Sequence, residues 1–135
     1  MNIRNTVTEL IGGTPLLRLH KMEEKFGAKA EIVAKVEAFN PAGSIKDRVG
    51  YNMVIQAEKD GRLKPGGTII EPTSGNTGVG IAMTAAARGY KAVMVMPESM
   101  SVERRTLLAA LGAELVLTDK AKGMQGSVEK SQRTS

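Results

Sequence analysis

Short apolar runs alternate with helical patterns from residue 31 onward, and this alternation predicts the fold class. Residues 31–37 carry apolar side chains at every second position, as a half-buried strand does. Repeated strand–helix–strand units with short connections imply right-handed crossovers. We therefore predict an α/β fold, an open parallel sheet with helices on both faces. Three further runs bounded by glycine or proline have the composition of buried strands: residues 68–71, 92–96 and 114–118.

Helical patterns fill the intervals between these runs, and glycines mark where the helices end. Ser44 followed by Asp47 resembles a capping box, after which apolar residues recur at a spacing of four. Glycine ends a helix readily because it adopts the left-handed conformation often required just beyond the last turn. On these signals we predict helices over residues 44–60, 76–88 and 101–111, each followed by a glycine.

The C-terminal residues 120–135 are polar, and a final helix is predicted to begin near Gly123. Helices in proteins gain most of their stability by packing an apolar face against another element. Because no further strand pattern follows this helix, we expect this end of the chain to be loosely packed.

The ionisable residues set limits on the chemistry. The 135 residues include 19 Lys+Arg and 14 Asp+Glu, for a formal net charge of +5. The absence of cysteine excludes disulfides, thiolate metal sites and a cysteine nucleophile. The lone histidine, His20, excludes a multi-histidine metal site and is expected at the surface after a strand, with no catalytic role. We therefore predict no metal site.

The basic charge is spread along the chain and does not predict a nucleic-acid or membrane partner. The aromatic residues are 2 Tyr and 2 Phe, too few for the stacking that contributes ~1–3 kcal/mol per base in single-strand binders. The apolar runs are far shorter than the ~20 residues needed to cross a bilayer. Residues 1–10 lack the apolar core of a signal peptide. We expect a cytoplasmic protein whose charge favours anionic small molecules.

The loop at residues 71–78 has the composition of an anion site. In open parallel sheets, ligands bind at the carboxyl ends of strands, where loops lead into helices. A helix N-terminus there presents free N–H groups and about +0.5 charge, which suits a carboxylate or phosphate. Gly75 and Gly78 allow a backbone geometry or close approach that a side chain would forbid. Ordinary helix capping is the alternative, but four adjacent polar side chains exceed what a cap requires: Thr73, Ser74, Asn76 and Thr77.

The loop at residues 40–48 places Lys46 in the first turn of a predicted helix. A cation there opposes the helix dipole, at a cost of ~0.3–1 kcal/mol. That field favours the neutral amine, which is the nucleophilic form. The alternative is a solvent-facing lysine paired with Asp47 or Glu37, and the spacing alone favours this alternative.

Nucleotide-binding motifs do not account for these loops. The glycines at positions 75, 78 and 80 read G-x-x-G-x-G, which is not the dinucleotide fingerprint G-x-G-x-x-G. No G-x-x-x-x-G-K-[ST] sequence occurs, so a P-loop is excluded. A dinucleotide-dependent dehydrogenase is therefore a weak alternative.

Two more segments accompany these loops, residues 8–16 (TELIGGTPL) and 96–105 (MPESMSVERR). Taken in order with residues 40–48 (NPAGSIKDR) and 71–78 (EPTSGNTG), they resemble the cysteine synthase (O-acetylserine sulfhydrylase) family of fold-type II pyridoxal-phosphate enzymes. A single such segment can arise by chance, whereas four in order are highly specific. The resemblance implies that the chain is an incomplete, N-terminal part of a two-domain enzyme.

The resemblance implies roles for the residues of both loops. In that family, the lysine in the position of Lys46 forms a Schiff base with the aldehyde of pyridoxal 5'-phosphate and later removes the α-proton of the substrate. The residue matching Asn76 hydrogen-bonds the ring hydroxyl of the cofactor. This outweighs the solvent-facing interpretation of Lys46. The loop that holds the substrate α-carboxylate corresponds to Thr73, Ser74, Asn76 and Thr77.

The implied reaction is a β-replacement that converts O-acetyl-L-serine and sulfide to L-cysteine and acetate. Cystathionine β-synthase is the nearest alternative because it shares both loops almost verbatim. Residues 100–105 and 122–126 look more like cysteine synthase. A non-catalytic, truncated binding module is a further alternative.

Members of the resembled family are considerably longer than this chain, and their phosphate-gripping loop belongs to the additional portion. We expect residues 1–40 to pack on a missing large domain and residues 41–135 to form the small α/β domain with both loops. The chain alone is then a fragment that binds the cofactor weakly, if at all, with little turnover. The resemblance also implies a homodimer and, as a partner, the C-terminal tail of serine acetyltransferase.

Overall fold

The computed structural model describes residues 3–134, which form five strands and five α-helices. Short 3-10 turns cover Val7–Leu10, Glu37–Phe39 and Lys120–Lys122. In chain order the regular elements are β1 (Leu16–Arg18), α1 (His20–Phe26), β2 (Val33–Lys35), α2 (Lys46–Lys59), β3 (Thr68–Pro72), α3 (Asn76–Arg88), β4 (Lys91–Pro97), α4 (Val102–Ala110), β5 (Glu114–Thr118) and α5 (Gly123–Thr134).

A three-stranded parallel sheet in the order β3-β4-β5 forms the centre of the fold, as the strand–helix alternation predicts. Its register pairs Ile70 with Val93 and Val95 with Val116. The central strand β4 is buried from Ala92 to its end. The predicted α/β class with a parallel sheet is confirmed.

Helices cover both faces of this sheet. Strand side chains alternate between faces, and Ala92, Met94 and Met96 pack with residues of α3 and α4 in the core. The intervening Val93 and Val95 are also buried and therefore face the other side. Helix α5 packs against all three strands, with its largest contact on β4. We conclude that α5 covers this second face.

The prediction of a loosely packed C-terminal end is therefore wrong. Helix α5 buries Ser127 completely and Ser131 almost completely, and Gly126 is buried beside them. The hydroxyl of Ser127 lies 2.8 Å from that of Thr118, so its polar group is satisfied inside the fold. Small side chains let this helix approach the sheet closely. The prediction failed because sequence patterns reveal a buried helix face by its apolar side chains, and the buried face of α5 contains serine and glycine instead.

The N-terminal strands form a separate small sheet. β1 pairs with β2 in antiparallel fashion, and β2 is shorter than the predicted strand at residues 31–37. Large apolar side chains here are open to solvent, with Leu16 70% and Phe39 72% exposed. Packing of residues 1–40 on a further domain remains a prediction, and Met1 and Asn2 lie outside the described residues.

Helices α2 and α3 cross in direct backbone contact. A Cβ atom built on Gly50 would lie 2.5 Å from the carbonyl carbon of Gly80, and one on Gly80 would lie 2.6 Å from the carbonyl oxygen of Lys46. Real Cβ atoms essentially never approach other atoms so closely. Both glycines are therefore required by this crossing, which connects the start of α2 to the first turns of α3.

Two further sequence-based expectations concern the surface and metals. His20 is exposed at the first residue of α1, directly after β1, as expected. Over residues 3–134, no three histidine or carboxylate side chains are grouped so that they could hold a metal ion. None of the helices in this range has the length and apolar character required to cross a membrane.

Candidate functional site

The lysine loop, residues 40–46, is a closed turn held by internal hydrogen bonds. Asn40 is buried, and its carbonyl oxygen accepts a hydrogen bond from the amide of Gly43 at 2.8 Å. The amide of Ala42 donates to Oδ2 of the fully buried Asp47 at 2.6 Å. Burial raises the pKa of the Asp47 carboxyl above its ordinary value, although the Ala42 hydrogen bond acts in the opposite direction. One hydrogen bond therefore fixes the turn to its own first residue, and the other fixes it to the first turn of α2.

Lys46 is the first residue of α2, and its side chain is exposed. Its amide donates to Oγ of Ser44 at 3.1 Å, but Ile45 occupies the N-cap position of α2, so the prediction of Ser44 as the N-cap is wrong. Neither neighbouring carboxylate pairs with the Lys46 amine in the described chain, because Asp47 binds the Ala42 amide and Glu37 binds Arg48. The side chain is thus exposed, as in the alternative interpretation of Lys46, but the pairing with Asp47 or Glu37 that this alternative included is wrong. The amine is left available to a ligand.

The second loop joins β3 to α3, and Thr73 closes it. Thr73 is buried, and its Oγ1 accepts a hydrogen bond from the amide of Gly78 at 3.2 Å. A Cβ atom on Gly78 would lie 2.2 Å from Cγ2 of Thr73, so the predicted close approach at Gly78 is confirmed. At Gly75 the backbone is extended and an added Cβ would meet nothing within 4 Å. The prediction that Gly75 also prevents a clash is wrong.

The remaining polar side chains of this loop surround the start of α3. Ser74 and Asn76 are exposed and Thr77 is half-buried, while the first turn of α3 contains no acidic residue. No carboxylate in the first turn of α3 therefore neutralises the positive end of its helix dipole. The hydrogen bond that Thr73 accepts from α3 accounts for only one of the four side chains predicted to bind an anion. In the part of the chain that the structure describes, the other three do not cap the helix in this way, so the prediction of an anion site stands for them.

Arg104 adds a cation to this loop, a role that the sequence did not reveal. Its Nη1 donates a hydrogen bond to Oδ1 of Asn76 at 2.8 Å. Arg104 lies in the first turn of α4, whose start is capped by Ser101. The residue belongs to the segment 96–105 that carries the resemblance, but only the packing of α4 beside α3 brings it to Asn76.

The two loops meet because α2 and α3 touch at their N-terminal halves. Gly80 contacts the backbone of Lys46 and Asp47, so the lysine lies beside the helix that the Thr73–Asn76 loop begins. The structure thus places the backbone of Lys46 beside the first turns of α3, and it places the guanidinium group of Arg104 at the first residue of α3. This combination can bind an anionic ligand and supply a nucleophilic or basic amine to it.

Pyridoxal phosphate fits these residues. The cofactor needs an accessible lysine for its aldehyde, and the amine of Lys46 is exposed and engaged by neither adjacent carboxylate. It also needs a hydrogen-bond donor near its ring hydroxyl, and Asn76 is exposed at the first residue of α3. The space next to Gly75 is open, which leaves room for a ligand above the loop.

Glu37 makes the stability of the fold depend on pH. Hydrogen bonds from Arg48, and then from Thr14, hold the pKa of Glu37 far below its ordinary value of 4.5. A carboxyl with a lower pKa in the folded state contributes stability above pH 4.5, and this contribution is lost as the pH falls. Glu37→Gln should therefore reduce the free energy of unfolding at neutral pH and flatten its decline below pH 4.5.

Urea unfolding of both chains at several pH values measures this effect. Glu24→Gln, which changes an exposed glutamate of α1, serves as the control and should alter the pH profile little. An acid limb in Glu37→Gln as steep as in the native chain would contradict the assignment.

Comparison with known proteins places these features in a family. Residues 7–134 match the family described as "Pyridoxal-phosphate dependent enzyme". A probable cysteine synthase of Bacillus subtilis is 55% identical over 129 residues, which cover 96% of this chain and 40% of that protein. The chain thus spans less than half the length of this relative.

Solved structures give the same result. The crystal structure of a cysteine synthase from Entamoeba histolytica matches with a TM-score of 0.93 and 49% identity, covering 98% of this chain and 40% of that one. A cystathionine β-synthase from Bacillus anthracis matches with a TM-score of 0.81 and 37% identity, covering 99% of this chain and 50% of that one. The small α/β unit described above is therefore a recurrent part of longer enzymes.

Proposed function

The chain belongs to the family of pyridoxal-phosphate-dependent enzymes, and on that premise we propose that it forms the lysine-bearing part of a cysteine synthase. The proposed reaction converts O-acetyl-L-serine and sulfide to L-cysteine and acetate. The observation that carries this proposal is the contact between Gly80 and the backbone of Lys46, which places the first residue of α2 beside the helix whose start is the proposed anion site. The similarity to cysteine synthases, at 49% and 55% identity, supports the same reaction.

Each loop has its own task in this reaction. Lys46 would attach the cofactor, and Asn76 would hydrogen-bond its ring hydroxyl. The substrate carboxylate would bind at the start of α3, where amide groups and the helix dipole favour an anion. Its partners there would be Thr73, Ser74, Asn76 and Thr77.

Lys46 also moves the proton. Once the substrate amine has displaced Lys46 from the cofactor, the freed Nζ would remove the proton from the α-carbon. Acetate would then leave the β-carbon with the electrons of the C–O bond, and hydrosulfide would add to that carbon. The same Nζ would then return the proton to the α-carbon. When bound, pyridoxal phosphate supplies the sink for the electron pair left at the α-carbon.

Cystathionine β-synthase is the competing assignment, because the same unit occurs in that enzyme. The chain is 37% identical to the Bacillus anthracis cystathionine β-synthase, against 55% to the Bacillus subtilis relative named as a probable cysteine synthase. This difference favours sulfide, rather than a larger thiol, as the second substrate. A homodimer and binding of the serine acetyltransferase tail are proposed only as properties of the longer enzyme.

A chimeric enzyme tests the proposal. In this chimera, the 135-residue chain replaces the matching part of the Bacillus subtilis relative, so that one polypeptide contains both domains. We expect sulfide-dependent cysteine formation from the chimera and little or none from the 135-residue chain alone. A folded chimera that produces no cysteine would contradict the proposal, and one that uses homocysteine better than sulfide would favour cystathionine β-synthase.

Arg104→Gln should weaken substrate binding by the chimera. The substitution removes the cation that donates to Asn76, and hydrogen bonds to charged groups contribute ~1.5–3 kcal/mol. We expect the KM for O-acetyl-L-serine to rise roughly tenfold, the change that ~1.4 kcal/mol produces. Steady-state kinetics against Arg133→Gln, which changes an exposed arginine of α5, would measure this. Equal KM values in the two variants would contradict a binding role for Arg104.

A further inference from the structure

Glu37 collects hydrogen bonds from three separate segments of the chain. Its carboxylate accepts from Oγ1 of Thr14 at 2.7 Å and from Nδ2 of Asn40 at 2.7 Å. Arg48 donates to both carboxylate oxygens, from Nε at 2.9 Å and from Nη2 at 3.0 Å. We call these four residues, Thr14, Glu37, Asn40 and Arg48, the Glu37 cluster.

The cluster encloses the lysine loop. Asn40 begins the loop, and Arg48 follows Lys46 by two positions in α2. Asn40 also accepts a hydrogen bond on Oδ1 from the amide of Gly12 at 2.9 Å, which ties the N-terminal segment to the same point. One carboxylate therefore joins the beginning of the loop to the helix turn that follows it.

The geometry of the cluster is more specific than a surface ion pair. The side chain of Glu37 is only 17% exposed, and the Arg48 fork binds both of its oxygens. Such bidentate pairs hold two groups in a defined orientation, whereas a single exposed ion pair contributes little. The Lys46 side chain pairs with neither neighbouring carboxylate, so its position is set by the backbone of the loop and of α2.

We propose that Glu37 is a positioning residue for Lys46. It acts through Asn40 and Arg48, which hold both ends of the lysine loop in a fixed position beside α3. The inference rests on the proposed function of Lys46, since positioning matters only if the amine reacts. It means that the reaction also requires a residue, Glu37, that lies outside both loops. A displacement of about 1 Å at a reacting group can lower a rate ~10²-fold.

The test compares two carboxylates that bind arginine in the same way. Glu58 of α2 accepts from Nε and Nη2 of Arg88 at 2.6 and 2.7 Å, at the end of α2 opposite to Lys46. Glu37→Gln and Glu58→Gln each neutralise one such carboxylate. Glu58→Gln is therefore a matched control for the loss of a bidentate pair.

Two readouts distinguish positioning from general stability. In the 135-residue chain without cofactor, Glu37→Gln should raise amide hydrogen exchange at Ala42 and Gly43 roughly tenfold, as expected when a charged hydrogen bond is lost. In the chimera, the same variant should lower kcat ~10–100-fold with little change in KM. Glu58→Gln should leave both readouts near the native values.

Equal exchange rates at Ala42 and Gly43 in the two variants, or equal kcat values, would overturn the inference. If Glu37→Gln does not fold, Arg48→Lys replaces it, because lysine keeps the charge but loses the two-pronged bond. This variant should show a smaller increase in exchange at the same amides, and unchanged exchange would again overturn the inference. A chimera whose activity survives Lys46→Ala would instead contradict the proposed function and leave the exchange result intact.

Discussion

Lys46→Ala should lower cysteine formation by the chimera ~10²–10⁴-fold or more, because the substitution removes the group proposed to move the α-proton. The same variant should lose the absorbance band that pyridoxal phosphate acquires when it is attached to a lysine. Both effects follow from one amine, so they should disappear together. Rates of cysteine formation and absorbance titrations with pyridoxal phosphate measure them.

Lys59→Ala is the matched control for this experiment. Lys59 is exposed like Lys46, but it is the last residue of α2 and not the first. We expect Lys59→Ala to keep the absorbance band and nearly all of the activity. If Lys46→Ala retains a stoichiometric band, the attachment point lies elsewhere, and the assignment of Lys46 is wrong.

Gly80→Ala should destabilise the chain strongly, although alanine is the better helix former. The gain in helix propensity is at most about 1 kcal/mol. The new Cβ would lie 2.6 Å from the carbonyl oxygen of Lys46, a backbone atom that cannot move without separating α2 from α3. Overpacking typically costs ~1–3 kcal/mol and sometimes more. We expect a net fall in Tm of roughly 5–10 °C, measured by thermal unfolding of the chain.

Gly75→Ala provides the control for Gly80→Ala. An alanine at position 75 would meet no atom within 4 Å, so its cost should be limited to the poorer N-cap, about 1 kcal/mol or less. In the chimera, Gly80→Ala should also lower kcat, because the same contact holds Lys46 beside α3. Equal thermal stability of the two alanine variants would show that the helices separate at little cost.

The lysine loop illustrates how far a sequence can be interpreted. The position of Lys46 in the first turn is a local property and is present in the structure, although α2 begins at Lys46 and has Ile45, not Ser44, at its N-cap position. The partner of Asp47 lies within the loop, whereas the partners of Glu37 extend well beyond it. Asp47 binds the amide of Ala42, while Glu37 binds residues up to 23 positions away.

The C-terminal helix illustrates the opposite case. Its existence and its start at Gly123 are confirmed, because helix propensity and end signals act locally. Its burial was predicted wrongly, since Ser127 and Ser131 look like surface residues until a sheet face is placed beside them. A buried serine next to Thr118 is stable because each hydroxyl satisfies the other.

The sequence by itself determined the α/β class, the two loops and the candidate residues within them. These depend on short-range periodicity, turn chemistry and motif order, which a linear chain carries in full. Only the tertiary structure decided that Arg104 reaches Asn76, that Glu37 joins both ends of the lysine loop, and that Gly80 must lack a side chain. The contacts of Arg104 with Asn76, of Glu37 with Arg48 and of Gly80 with Lys46 join residues of different elements, and they exist only after those elements have packed.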